Sequence, residues 1–315
     1  MPHLPPPTEG NDDLFSDGTI SVSQNDSFQI EFLGTACLGF IFMHLFCLLV
    51  FWQGISLAAA TVFFLTFLTR TFALTGGFHR YFSHRTFRTG RVFQFILGFV
   101  GTAAMQRGPL WWAAHHRHHH AYSDTEHDIH SPVTRGFWWS HMGWVMSNRY
   151  GETNTKLIKD LTVFPELRWL DRFFLVPPVM LILSLYVVGE YFSAFHPNLQ
   201  TSGFQLVLYG FVISTVALYH TTFCVNSLTH VFGSRRFATR DDSRNNVIVA
   251  FLTMGEGWHN NHHFYPASAR QGFYWWEIDA TWWILKMLSW VGGVSEIQAP
   301  PAHVYARANH KPHVQ

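Results

Sequence analysis

The chain has 315 residues, of which 48% are hydrophobic, 17% aromatic and only 13% charged, with a net charge of +1. Soluble domains carry about 25% charged residues, so half the usual polar coat is missing and lipid contact is indicated. The near-neutral balance argues against nucleic acid as a partner.

Residues 1–29 are Pro-rich, then acidic, and contain no Lys or Arg. They read as a disordered tail, since a signal peptide opens with positive charge before its apolar core. Four apolar stretches follow at 30–52, 55–78, 173–195 and 204–225, each near the roughly 20 residues that a bilayer crossing takes. Gln53-Gly54 separates the first two and a short turn from His196 to Gly203 the last two, so the spans form two hairpins. A shorter apolar piece, 92–105, is expected along the interface or against the bundle. Of the 21 Lys and Arg, only Arg70 lies in a span; the other 20 fall in 80–172 and 235–311. The positive-inside rule then puts both termini and both polar lobes, 79–171 and 226–295, in the cytoplasm. Residues 296–315 read as a C-terminal tail. The fold class expected is all-α and integral to the membrane: four transmembrane helices under a cytoplasmic helical cap. The three cysteines, Cys37, Cys47 and Cys224, sit in apolar runs and form neither a disulfide framework nor a C-x-x-C pair.

The 21 histidines raise the expectation of metal, and their spacing locates it. His79 and His84 stand at the cytoplasmic end of the second span; their separation of five implies that the helix frays or bends there. His116, His119 and His120 lie in the first lobe, Asn226 and His230 at the end of the fourth span, and His259, His262 and His263 in the second lobe. Residues three and four apart share a helix face, so each triplet points one way and all four clusters can converge over the bundle. Nine histidines exceed the roughly four ligands of one zinc site and suit two metals, although imidazole serves Zn, Cu, Fe and Ni alike. His44 and His220, inside spans, read as polar packing residues. His115, His118, His127, His130 and His141 lie off the ligand faces.

The matching stretches are Gly77-Phe78-His79 through Phe87, Trp112 through Pro132, Ser140-His141-Met142-Gly143-Trp144, Asn226 through Arg235, Ser243-Arg244-Asn245-Asn246 and Gly255 through Pro266. With these, residues 30–295 resemble the membrane-bound acyl-CoA (stearoyl-CoA, delta-9) desaturases in their bacterial branch. The resemblance implies a di-iron centre (two Fe2+) held by His79, His84, His116, His119, His120, His230, His259, His262 and His263, with Asn226 reaching one iron through a water. It also implies a narrow, kinked acyl tunnel, O2 as co-substrate and a cis double bond as product. Iron is preferred because zinc has no redox chemistry and an unactivated C–H bond lies beyond side-chain acids and bases. Neither a His-Pro-Gly-Gly haem motif nor an Fe–S cysteine run is present. The electrons are therefore expected from a separate protein such as cytochrome b5, or ferredoxin with its reductase.

Asp124, Glu126, Asp128, Glu256 and Asp279 are candidates to orient the imidazoles. Phe67, Thr71 and Thr75 follow i, i+4 spacing down from His79 and are placed along the tunnel, Phe67 and Thr71 at its closed end. Arg85, Arg88 and Arg91 form a basic run suited to coenzyme A phosphates. Animal members carry Arg-Asp before the second box where this chain has Ala113-Ala114-His115, which leaves acyl-CoA, acyl carrier protein and lipid-linked substrates open. The alternatives are a di-iron membrane hydroxylase and a histidine-rich metal transporter. Transport calls for ionisable groups along a mid-membrane path, and the spans offer only His44, Arg70, Glu190 and His220.

Overall fold

A computed structural model describes residues 35–308; the expected tail at 1–29 and residues 309–315 lie outside the described residues. Helix α1, Ala36–Gln53, turns back at Gly54 into α2, Leu57–Ser83. Gly54 sits at φ 57°, ψ −170°, where a side chain is strained, and Ser56 caps α2 by accepting from Ala59 N at 3.1 Å. Then come α3, Arg91–Thr102, α4, Pro109–Tyr122, and α5, Pro165–Arg172. Helix α6, Val176–Phe195, opens on Pro177-Pro178, where a missing N–H costs nothing. It pairs with α7, Gly203–His230. A Cβ on Gly189 would lie 2.5 Å from Gly203 Cα, so the two helices close backbone to backbone, as small residues allow in membranes. Glu190 caps α7, accepting from Gly203 N at 2.9 Å.

These four helices are long and apolar enough to cross a membrane, and Phe51, Trp52, Leu57 and Phe195 stand 69–85% exposed, a lipid-facing surface. Arg70, on α2, points inward and is 2% exposed. It donates to Thr66 O, Ala103 O, Thr215 Oγ1 and Ser214 Oγ, so hydroxyls and carbonyls replace the water it lost.

The helices α2 and α7 overrun the expected spans at the cap end, reaching 83 and 230 instead of 78 and 225. Hydropathy stops at His79-Arg80, but the cap buries the continuing helix and supplies its partners. Arg80, fully buried, bonds Glu256 at 2.9 Å and Asp279 at 2.9 Å. Helix α3 packs its glycines on the bundle: a Cβ at Gly101 would strike the Phe78 ring, and one at Gly98 would strike Leu170. The second lobe adds α8, Val247–Leu252, α9, His259–Phe264, and α10, Ala280–Trp290. Strand β1, Arg88–Thr89, pairs antiparallel with β2, Val294–Ser295, tying the lobes together. The expected tail is part of the cap through residue 308: Gln298 N donates to Thr86 O at 2.8 Å, and Val304 is buried against Phe237 and Phe273.

Candidate metal centre

Each cluster is delivered by a local feature of its sequence. The last eleven residues of α2, Ala73–Ser83, wind as a π-helix, a wide turn found at functional sites. Residues five apart then align, and His84 N bonds His79 O at 3.2 Å. The expected fraying is replaced by a regular wide turn that keeps both imidazoles on one side. Helix α4 starts on Pro109, and Asp171 accepts Trp111 N at 2.9 Å, placing a carboxylate at the helix N-terminus. His230 lies in the tightened last turn of α7.

The nine histidines converge and divide into two groups whose ring nitrogens lie within 4.8 Å of one another: His79, His84, His116, His120 and His262, and His119, His230, His259 and His263. The rule that a triplet shares a face is refined here. On α4 the i, i+4 pair His116 and His120 joins the first group, while His119 turns to the second. On α9 the pair His259 and His263 joins the second group and His262 the first. Each helix thus bridges both groups.

Nε2 faces Nε2 throughout: His79 to His262 at 3.0 Å, His84 to His116 at 2.8 Å, His120 to His262 at 2.9 Å and His230 to His259 at 3.0 Å. Carboxylates take the other nitrogen. Glu256 holds His79 Nδ1, Asp128 holds His119 at 3.0 Å, Asp124 holds His230 at 2.8 Å and Asp241 holds His263 at 2.7 Å. A carboxylate only accepts, so Nδ1 donates and Nε2 keeps its lone pair pointing inward.

These lone pairs fit a pair of cations. His263 Nε2 is buried with no hydrogen-bond partner, and His262 Nε2 faces Nε2 of both His79 and His120, two contacts that one ring nitrogen cannot make as hydrogen bonds at once. Metal–imidazole bonds of about 2.1 Å set ligand nitrogens at right angles about 3.0 Å apart, the spacing found here. Burial, with the charges of neighbouring histidines, holds His84, His116, His120, His259 and His262 well below the ordinary 6.5, and His263 falls to about 4. They are neutral imidazoles at physiological pH. His119 differs: burial opposes its charge, but the adjoining Asp128 carries it above 6.5.

Of the candidate orienting carboxylates, Asp124, Asp128 and Glu256 touch histidines. Asp279 acts one step removed, through Arg80 to Glu256, and Glu126 is exposed. Asp241 escaped the sequence reading, although Asp241-Asp242 adjoins the Ser243-Arg244-Asn245-Asn246 stretch. Gln271 was also missed; its Nε2 donates to Glu256 at 3.0 Å, and no spacing foretold it. His130 stacks on His119 at 4.4 Å and lies with Asp128 in a further cluster sharing His119.

Beneath the histidines lies an apolar cavity in two adjacent parts that share lining residues. The inner part, about 50 Å³, is lined by Thr71, Leu74, Thr75, Leu218 and Thr221 with His79, His116, His119 and His259 above. The outer part, about 420 Å³, extends to Ala36, Gly39, Phe40 and Met43 of α1 and to Arg107 and Tyr150 of the cap. Trp112, His116, Thr222 and Asn226 line both. Thr71 and Thr75 therefore reach the cavity. Phe67 does not line it; it packs with the partly buried residues around the main core and stacks on Phe63 at 5.9 Å. Arg85, Arg88 and Arg91 line neither part, and each is paired with a carboxylate: Asp160 at 3.4 Å, Glu296 at 3.0 Å and Glu166 at 2.7 Å.

Residues 54–289 match the family model for fatty acid desaturases. The chain belongs to the fatty acid desaturase family. Among its relatives, the sn-2 palmitoyl-lipid 9-desaturase of Nostoc sp. is 35% identical over 289 residues, 90% of this chain and 96% of the relative. The sn-1 stearoyl-lipid 9-desaturase of Synechocystis sp. is 38% identical over 277 residues, 85% of this chain and 80% of the relative. The acyl-CoA C20 Delta5-desaturase of Anemone leveillei is 34% identical over 289 residues, 88% of this chain and 83% of the relative. The family makes this desaturase an oxidoreductase of lipid metabolism, and its histidine groups could bind metal.

Proposed function

We propose that this desaturase uses two iron ions, one in each histidine group, to insert a cis delta-9 double bond into a saturated acyl chain carried by a membrane lipid. The observation that carries the reading is the placing of two adjoining sets of inward-facing imidazole nitrogens at the head of an apolar cavity. Bound iron supplies the O2 reduction that no side chain can perform. The balance is one acyl CH2–CH2, one O2, two electrons and two protons giving CH=CH and two waters.

The chain's own residues do the rest. The carboxylates fix His79, His119, His230 and His263 by their Nδ1–H, and the apolar walls exclude water and align the methylenes. Asn226, on both parts of the cavity, is assigned to one of the irons through a water. The electrons come from a separate donor such as cytochrome b5 or ferredoxin with its reductase, acting on a cytoplasmic cap. Lipid linkage is favoured over a coenzyme A thioester because Arg85, Arg88 and Arg91 are engaged by carboxylates, whereas the cavity reaches the membrane helix α1. The named lipid 9-desaturases support both lipid linkage and delta-9 placement.

The test is expression in a desaturase-deficient host, with gas chromatography–mass spectrometry of each lipid class. New delta-9 monounsaturated chains in glycerolipids are expected, absent in His119→Ala and His262→Ala. Hydroxy acids in their place would move the assignment to a hydroxylase.

A further inference from the structure

Three histidines outside the nine, His44 on α1, His220 on α7 and His141 in the cap, form an unbroken hydrogen-bonded row. The carbonyl of Phe40 only accepts, so His44 Nδ1 donates to it at 2.7 Å and His44 Nε2 is left as an acceptor. His220 Nε2, 3.0 Å away, donates to it. His220 Nδ1 then accepts from His141 Nε2 at 3.0 Å, and His141 Nδ1 faces Ser227 Oγ at 2.9 Å. With the Ser227 hydroxyl proton turned to His141 Nδ1 in place of its other acceptor, Phe223 O at 2.9 Å, one proton per bond satisfies the row with every ring neutral. His220 turns a different nitrogen to each neighbour, so the three do not converge on one ion.

The row ties α1 to the molecule where little else does. In α1 only Cys37 is buried, while Phe42, Leu45 and Phe46 face outward. Among the described residues, His44–His220 is the one hydrogen bond from 36–52 to another element. At the far end, Gly54 O accepts from Tyr209 OH at 2.7 Å and Gln53 O from Gln205 Nε2 at 3.2 Å. Helix α1 is thus hinged at a glycine turn, pinned at mid-length and, among the described residues, free of hydrogen bonds to other elements beyond the pin. That stretch, Ala36 to Met43, walls the outer cavity. Across the seam, Phe40 meets Tyr219 at 5.9 Å and Phe223 at 6.4 Å by ring contact alone.

We propose that α1 is a hinged lateral gate of the acyl cavity and that His44, His220 and His141 are its latch. The acyl chain of a bilayer lipid passes sideways between α1 and α7, and the row re-forms behind it. The proposal rests on the lipid-linked reading above. Lipid is as apolar as the rings of the seam, so opening trades one set of apolar contacts for another. The hydrogen-bonded row defines the closed register.

The test joins α1 to α7 at the latch. The three native cysteines are replaced by serine, His44→Cys and His220→Cys are introduced, and the pair is bridged with a reducible bis-thiosulfonate. The full chain sits in phosphatidylcholine vesicles whose saturated chain carries a diazirine. Labelling of the peptide bearing Tyr219 and Phe223 is read by mass spectrometry, beside iron content and desaturation. Bridging is expected to cut labelling about tenfold by removing the open population, with iron unchanged and recovery on reduction. Equal labelling of bridged and reduced protein overturns the gate. His44→Phe keeps a ring against Phe40 but removes its hydrogen bond to α7, and labelling roughly threefold faster is expected from a larger open fraction; an unchanged or slower rate overturns the latch. Failure of the lipid-linked reading looks different: the reduced protein takes no label from lipid and desaturates only acyl-CoA, and the gate falls with it.

Discussion

The two histidine groups are built differently. In the five-member group only His79 leans on a carboxylate, Glu256, which is itself shared with Arg80. In the four-member group three members do: His119 on Asp128, His230 on Asp124 and His263 on Asp241. One group gathers more histidines, most with no carboxylate beside them; the other has fewer, three of the four donating Nδ1–H to a carboxylate. Two metals held this way would be inequivalent, one site having more imidazoles and the other more imidazoles oriented by a carboxylate.

The sharpest break comes from the ligands themselves. His262→Ala, in the first group, and His119→Ala, in the second, should each lower desaturation by more than about 100-fold, exceeding the loss from supporting residues. Each should also cost about half the iron in a direct metal assay. Full iron in either variant would remove that residue from the ligand set.

Next in size are the carboxylates. Asp128→Asn and Asp241→Asn should weaken iron in the four-member group by about 10- to 100-fold. In a chelator titration the unaltered protein should release iron in two steps, and Asp128→Asn should bring them together. A single step in the unaltered protein would erase the contrast between the groups.

Acid gives a smaller, graded effect. His263 titrates at about 4 in the fold against an ordinary 6.5. Between these values the unfolded chain binds the proton and the folded chain does not, so stability falls as pH falls. The contribution of His263 is complete above pH 6.5 and is lost progressively toward pH 4, a window that thermal unfolding at stepped pH will show. Unfolding temperatures that stay flat through it would contradict the burial of neutral imidazoles. The smallest effect belongs to Glu126→Gln. This exposed carboxylate touches no histidine, so stability should change by less than about 0.5 kcal/mol, with iron unaltered. A loss like that of Asp128→Asn would show that charge in the lobe, not contact, is what matters.

The sequence by itself determined the four spans, their hairpin pairing and the nine histidines. Apolar length and i, i+3, i+4 spacing are local quantities, and a helix converts them directly into faces. It also singled out Asp124, Asp128 and Glu256, which lie within the matching boxes. Tertiary structure alone decided which histidine joins which group, because that depends on how α4 and α9 roll against each other and not on either helix. It decided that Asp241 and Gln271 reach His263 and the His79–Glu256 pair from loops without periodicity. It also spent Arg85, Arg88 and Arg91 on carboxylates as remote in sequence as Glu296. Charge runs and lone polar residues carry no partner in their own spacing; only the packed chain brings one within hydrogen-bond reach.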